Sequence, residues 1–329
     1  MHREALKKMT NEKKKQLINQ INIYRSVLIL AIICIVASFL SSSFLSLTNF
    51  FNVIKQITVA GIVGCGMTFV ILTGGIDLSV GSIVGLAGAM GAGILSTTDS
   101  IVLALLVALF IGAICGLANG FLVAQCGIPP FIATLGTMTL LRGCVLVYTK
   151  GAPIPVKNDA FKFIGKGSVL GIPIPIIILI VLFLIAHFIL TQTAFGRSIY
   201  AFGGNKEAAR LSGIRTKLTE WMVYGFSGLT SGLAAAVLIA RLGSAQSTSG
   251  EGIEMDAIAA VILGGTSLSG GSGFVLPTVI GAIIMGMIDN ILTLMNVNPH
   301  ATKIVKGAVV ILAVLLDKKV KDLSAKADK

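Results

Sequence analysis

Carboxylates within apolar sequence are the residues of this chain with the clearest potential for chemistry. Asp77 lies deepest, in the stretch 74–79 between two apolar runs. A charged group in hydrocarbon is expensive and usually functional, but a proton relay would need several of them. Asp289 is the only other clear candidate, and Asp256 lies near the edge of an apolar run. Because aspartate also caps free backbone N–H groups at a helix start, capping is the favoured interpretation of Asp77.

The sequence contains no set of residues typical of an enzyme. Its three histidines form no H-E-x-x-H motif, no G-x-S-x-G motif occurs, and the five cysteines include no C-x-x-C pair. The glycine-rich stretches lack the G-x-x-x-x-G-K-[ST] loop that binds phosphates. The sequence therefore predicts no catalytic residues, metal site or cofactor in this chain, and any ATP that is used must bind to another chain.

The composition of the chain indicates that membrane helices hold the carboxylates in position. The chain has 329 residues, of which 55% are hydrophobic and only 12% charged, with a mean hydropathy of +0.93. Soluble domains are roughly a quarter charged. The net charge of +12 comes largely from clusters before residue 27, in 193–220 and after residue 316. Clusters that flank apolar runs follow the positive-inside rule, whereas a nucleic-acid-binding protein carries a basic face on a soluble domain.

The apolar pattern predicts an all-α, polytopic bundle of about ten transmembrane helices, since a bilayer core needs about 20 apolar residues per helix. The segment 257–268 is short, so a re-entrant or broken helix is left open for it. The predicted spans are 27–45, 53–72, 80–95, 101–124, 131–147, 173–191, 221–240, 257–268, 274–295 and 301–316.

Charge predicts the sides of the membrane on which the connections lie. The basic N-terminal segment 1–26, the loop 193–220 and the tail 317–329 are expected in the cytoplasm, on either side of a membrane domain 27–316. Four lysines between residues 150 and 166 oppose this topology. Arg142 falls near the outer end of a span, where its side chain extends to the interface or, alternatively, serves an external gate.

Small residues recur at helical spacing and in two similar segments. Gly112, Gly116 and Gly120 form one stripe, and Gly228 with Gly232 forms another. In lipid such stripes allow helix backbones to approach closely, so helix packing is the favoured interpretation. Residues 70–82 also resemble 261–272 in sequence. Glycine-interrupted segments in two halves of a transporter often mark the transport path, with coincidence among small residues as the alternative.

Residues 205–211 read as a short helix within the polar loop 193–220. Asn205 is a favourable N-cap, good helix formers follow it, and Ser212-Gly213 ends the run. Barely two turns are too short for a stable isolated helix. The segment is therefore interpreted as a helix that docks against another protein, with a solvated loop as the alternative.

These motifs together resemble the membrane permease subunits of bacterial ABC sugar importers of the ribose-transporter type. The resemblance covers about residues 45–316, and ribose permeases are the most similar group, although related permeases serve xylose, galactosides, allose and autoinducer-2. The matching segments are 67–82, 118–120, 130–138, 142–143, 204–214 and 255–268.

The resemblance implies partners. A separate ABC ATPase subunit would bind ATP and Mg²⁺, an extracytoplasmic sugar-binding protein would deliver monosaccharide to segments 148–172 and 242–256, and a second permease copy or sister chain would complete the path in the bacterial cytoplasmic (inner) membrane. The alternative is a secondary transporter driven by an ion gradient, which the few intramembrane carboxylates disfavour.

The resemblance also implies roles for particular residues. Arg142 is a candidate for an external gate. Coupling to the ATPase is expected from Gly204, Asn205, Glu207, Ala208, Ala209, Arg210 and Gly213. Candidates for the translocation path are Asp77, Ser79, Asn119, Thr134, Gly136, Thr266 and Ser267.

Overall fold

Helices make up nearly all of the regular structure. A computed structural model describes residues 26–327, and the prediction of an all-α bundle is confirmed. In chain order the helices are α1 (Ser26–Leu40), α2 (Leu47–Leu72), α3 (Val80–Thr98), α4 (Ile101–Ala124), α5 (Pro130–Thr149), α6 (Asp159–Lys166), α7 (Ile174–Gln192), α8 (Ala194–Gly204), α9 (Lys206–Leu211), α10 (Thr216–Leu242), α11 (Ile253–Leu263), α12 (Leu276–Leu294) and α13 (Pro299–Ala327).

Seven of the helices within residues 26–327 are long and apolar enough to cross a membrane: α2, α3, α4, α5, α7, α10 and α12. They coincide with seven of the predicted spans. Helices α1, α11 and α13 occupy the positions of the other three. The predicted cytoplasmic segment 1–26 lies outside the described residues except for Ser26, and the tail expected from residue 317 continues α13 as far as Ala327.

Helices α2 and α10 form the centre of the bundle, and α4, α5 and α7 lie at its periphery. The peripheral helices expose large apolar side chains, among them Phe110, Leu140 and Phe188. Such surfaces are unfavourable in water but suited to lipid. The fold therefore has a close-packed interior and an apolar exterior, as a protein surrounded by hydrocarbon requires.

Helices α4 and α10 approach closely because glycines face each other along their contact. A Cβ atom built on Gly228 would lie 2.7 Å from the Cα atom of Gly116, and one built on Gly112 would lie 2.8 Å from the Cα atom of Gly232. The prediction that these two stripes serve helix packing is confirmed. They place the polar residues of α4 and α10 within reach of each other.

The two similar sequence segments form similar structures that pack together. One is α2, the turn 73–79 and α3; the other is α11, the turn 264–275 and α12. The backbone N–H of Gly271 donates to the carbonyl of Leu72 over 2.9 Å. The hydroxyls of Thr68 and Thr278 lie 3.0 Å apart just above the turns. Both turns therefore lie at the same end of the bundle.

Helix α11 differs from the predicted span 257–268. It occupies Ile253–Leu263, and residues 264–268 belong to the following turn, where Gly265 adopts a φ of +94° that ends the helix. Non-helical residues 246–252 precede it. This part of the chain is thus a broken segment, in which consecutive turns lead into a short helix.

Short strands and α6 cover the end of the bundle opposite the two turns. Strand β1 (Ile154–Pro155) pairs with β4 (Ser244–Ala245), and β2 (Ser168–Val169) pairs with β3 (Ile172–Pro173) in a hairpin. Phe161 of α6 is fully buried against α3 and α10. The polar segment 149–171, which hydropathy left without predicted structure, is therefore a folded cap.

Candidate functional site

The buried carboxylate of Asp77 is the centre of a polar network in the turn 73–79. Its Oδ1 accepts the backbone N–H of Ser79 at 3.0 Å and the Ser79 hydroxyl at 2.7 Å. Its Oδ2 accepts the Ser227 hydroxyl of α10 at 3.1 Å. Asp77 and both serines are completely inaccessible to solvent. The carboxylate therefore joins the turn to α10.

Two further predicted path residues belong to the same network. The Nδ2 of Asn119 on α4 donates to the Ser79 hydroxyl over 2.7 Å. The hydroxyl of Thr134 on α5 lies 3.3 Å from the carbonyl oxygen of Ile76. The structure thus brings Asp77, Ser79, Asn119 and Thr134 together in the interior of the bundle, and their role in the translocation path stays a prediction.

The prediction that Asp77 caps a helix needs correction in its details. Ser79, and not Asp77, is the N-cap residue of α3. The Asp77 carboxylate bonds to the N–H two residues further on, which is the geometry of an Asx turn. Two residues of α10 that the sequence did not single out, Ser227 and Tyr224, complete its surroundings, and the fully buried Tyr224 hydroxyl has no hydrogen-bond partner among the described residues.

We expect Asp77→Ala to destabilise the protein and Asp77→Asn to leave both stability and transport largely intact. Alanine removes the acceptor of three buried donors, each worth about 1 kcal/mol or more, whereas asparagine keeps one acceptor oxygen in the same shape. Thermal unfolding in detergent and uptake in cells measure the two effects. A stable Asp77→Asn protein that transports nothing would instead indicate that the carboxylate must titrate.

The other predicted path residues lie apart from this network. Gly136 is on the exposed face of α5, where, among the described residues, a Cβ built on it meets no atom within 4 Å beyond its chain neighbours and the adjacent backbone of α5. Thr266 and Ser267 are buried in the second turn, where the Ser267 N–H donates to the carbonyl of Ser272 over 2.9 Å. These three residues remain predictions for the translocation path.

Arg142, the predicted gate residue, holds the non-helical stretch before α11. Its Nη1 donates to the carbonyl of Ser249 over 2.9 Å and lies 3.4 Å from the carbonyl oxygen of Ser247. The guanidinium thus satisfies backbone acceptors that a continuous helix would have satisfied itself. Sequence reasoning did not find this partner, because hydropathy does not show that 246–252 is non-helical.

A lysine between two aspartates connects the last three helices. The Nζ of Lys306 on α13 lies 2.9 Å from Asp256 Oδ2 on α11 and 2.8 Å from Asp289 Oδ2 on α12. Between 15% and 21% of each of these side chains is exposed. Asp256 and Asp289, which were both considered for a proton relay, are therefore paired with a cation, and this pairing was not predicted because Lys306 lies 50 residues from Asp256.

We expect Lys306→Met to lower the free energy of unfolding by about 2–3 kcal/mol, because it leaves two largely buried carboxylates facing each other without a cation. Lys303→Met is the matched control, one turn earlier on α13. Lys303 pairs with Glu251 at 3.0 Å, but both side chains are largely exposed, and such pairs contribute at most about 1 kcal/mol. Equal loss of thermal stability in both variants would refute the assignment.

The loop 193–220 folds into two helices where one was predicted. The predicted short helix is confirmed as α9, with the Asn205 side chain accepting the Ala208 N–H over 2.9 Å and Gly213 at φ +84° just beyond its end. Helix α8 was not predicted. It rests on the end of α2 and on the second turn, since Gly203 lies against Leu72 and the Tyr200 hydroxyl donates to the carbonyl of Gly273 over 2.8 Å.

Helix α9 projects from this base with most of its side chains exposed. Ala209 alone among its residues is buried, and Leu211 is 75% exposed. Glu207 and Arg210 form an ion pair on its outer surface, and the hydrogen bond from Arg210 lowers the pKa of the Glu207 carboxyl. Lys206 ties the start of α9 to Glu220 of α10 over 2.9 Å. The predicted coupling residues therefore lie on and beside a short, charged helix that projects from the bundle and is held at its start by the ion pair with α10.

Comparison with known proteins gives relatives along nearly the whole chain. The family described as "Branched-chain amino acid transport system / permease component" matches residues 49–314. The ribose import permease protein RbsC of Bacillus subtilis (strain 168) is 48% identical over 88% of this chain and 91% of its own. RbsC of Escherichia coli (strain K12) is 45% identical over 90% and 93%, and the D-allose transport system permease protein AlsC of that strain is 40% identical over 90% and 91%. No solved structure matches.

Proposed function

This chain belongs to the permease-component family of branched-chain amino acid transport systems, and we propose that it is the membrane subunit of an ATP-binding-cassette importer for a monosaccharide. The observation that carries the proposal is identity of 45–48% to two ribose import permeases across about nine-tenths of each chain. The allose permease is less similar at 40%, and an L-arabinose transport system permease of Escherichia coli is 34% identical. Ribose is therefore the proposed substrate.

The projection formed by α9 suits the coupling role. In the proposal, α9 lies in the cytoplasm and docks in a cleft of a separate ATPase subunit, which binds ATP and Mg²⁺. Because α8 joins α9 to the end of α2 through Gly203 and to the turn 264–275 through Tyr200, movement of the ATPase would reach the second turn directly and the first turn through α2. The Asp77 network would pass the movement from the first turn to α10.

The opposite end would face outward and meet the remaining partner. The cap formed by segments 148–172 and 242–256 would receive a sugar-binding protein, which supplies most of the sugar affinity. Arg142 would act there by holding residues 246–252 at the outer mouth of the path. A second permease copy or a sister chain would complete that path within the cytoplasmic (inner) membrane, and the exposed Gly136 on α5 would then face it.

Purification of the tagged chain from its native membrane tests the proposal. We expect a P-loop ATPase to copurify, and we expect ATP hydrolysis by the complex to rise when ribose-loaded binding protein is added to proteoliposomes. The same measurement of ATP hydrolysis with allose in place of ribose compares the two sugars as substrates. A chain that purifies alone and transports in liposomes under an ion gradient without ATP would overturn the importer and support a secondary transporter.

A further inference from the structure

The hairpin formed by β2 and β3 carries an exposed apolar surface at the capped end of the bundle. Leu170 at its tip is 98% exposed, and Val169, Ile172 and the neighbouring Phe163 are each about half exposed. Val169 and Ile172 lie directly opposite each other in the register, so their side chains share one face of the hairpin. The hairpin thus presents three adjacent apolar side chains.

The residue type at the tip is unfavourable for a turn in water. Leu170 and Gly171 have φ angles of +50° and +81°, which is the pattern of a type I′ turn. Asparagine or glycine normally fills the first of these positions, because a side chain with a Cβ is strained at positive φ. A leucine there is both strained and fully exposed, so folding of this subunit alone does not explain it.

The position of the hairpin indicates what covers this surface. Strand β3 leads without any intervening residue into α7, and the Ile174 N–H donates back to the carbonyl of Gly167 over 3.0 Å. The hairpin is therefore fixed at the first turn of a helix with a mean hydropathy of 2.9. Along α7 the apolar exposure continues through Ile180, Val181 and Leu184. One apolar surface extends from the span to the hairpin.

We propose that the β2–β3 hairpin is a lipid anchor that inserts Val169, Leu170 and Ile172 at the boundary between headgroups and acyl chains. Apolar side chains bury at this depth in interfacial segments of other proteins, and the exposed Lys166 lies where it meets anionic headgroups. The anchor would hold α6 and the rest of the cap at a fixed height above the membrane. The inference requires only that α7 spans the bilayer and does not depend on sugar import.

Tryptophan fluorescence in lipid nanodiscs tests the anchor. We expect Leu170→Trp to emit at shorter wavelength, and to be quenched several times more strongly by lipids brominated near the headgroup, than Ala160→Trp on the exposed side of α6. The signal of Trp221, the sole native tryptophan, is measured in the unsubstituted protein and subtracted. Ile172→Trp replaces Leu170→Trp if the latter fails to fold.

Two results would overturn the proposal. One is equal quenching of both probes by aqueous acrylamide with no effect of brominated lipid. The other is protection of residue 170 only when a sugar-binding protein or a second copy of the chain is present. As a further check, Leu170→Asn favours the turn but removes the apolar tip, so it should weaken bromine quenching of a tryptophan at 172; unchanged quenching would contradict insertion of the tip.

Discussion

Gly228→Val is expected to leave little correctly folded protein in the membrane. The Cβ of any residue at 228 would lie 2.7 Å from the Cα of Gly116 and still closer to the carbonyl of Gly112. Because the obstacles are backbone atoms of α4, no side-chain rotation can relieve the contact, and the two helices must separate. Overpacking of a close-packed interior typically costs 1–3 kcal/mol and occasionally more, and we expect about 3 kcal/mol or more here.

Gly143→Val is the matched control for this prediction. Gly143 also lies within a spanning helix, α5, but a Cβ built on it meets no atom of the described residues within 4 Å beyond its chain neighbours and the adjacent backbone of α5. Both substitutions add the same side chain to a membrane helix, so insertion and helix propensity are affected alike. The yield of monodisperse protein and its thermal unfolding in detergent compare the two. Similar behaviour of the two variants would show that the α4–α10 contact does not limit stability.

The spanning helices could be predicted because the bilayer imposes their length. About 20 apolar residues are needed to cross hydrocarbon, and a window of that size finds α2, α4 and α10 without knowledge of their neighbours. The same reasoning left 257–268 open between a span and a re-entrant or broken helix. There glycines with positive φ, Gly252 before the helix and Gly265 after it, determine where α11 begins and ends, and hydropathy does not register backbone conformation.

Whether a contact of a site residue could be predicted depends on how far apart the two partners lie in the sequence. The contact between Asp77 and Ser79 could be predicted, because the two residues are only two positions apart. Its second partner, Ser227, is 150 residues away, and the packing of α10 against α2, α3 and α4 brings that helix to the turn. Lys306 was overlooked for the same reason. A single sequence shows which residues are costly to bury, whereas the fold determines which of them meet.

Glu207→Lys is expected to abolish transport and to weaken retention of the ATPase by roughly thirtyfold or more, as for a hot spot of an interface. The ion pair between Glu207 and Arg210 is exposed, so its loss changes the stability of the subunit little. Because Arg210 lowers the pKa of Glu207, the carboxylate stays ionised to a lower pH than an unpaired glutamate would. Retention of the ATPase measured from pH 7 downward should therefore decline at a lower pH than the titration of an unpaired glutamate predicts.

Leu211→Ser separates docking from any effect on the α9 helix, since Leu211 is the last helical residue, is 75% exposed and belongs to no ion pair.

Asp159→Lys is the matched charge control. Asp159 and Lys162 form the same i,i+3 exposed pair on α6 at the opposite end of the bundle, and Lys162 likewise lowers the pKa of Asp159. We expect both changes in α9 to release the ATPase and Asp159→Lys to retain it, with all three variants reaching the membrane in normal amounts. Retention of the ATPase by Glu207→Lys and Leu211→Ser would mean that α9 is not the surface through which ATP hydrolysis drives the permease.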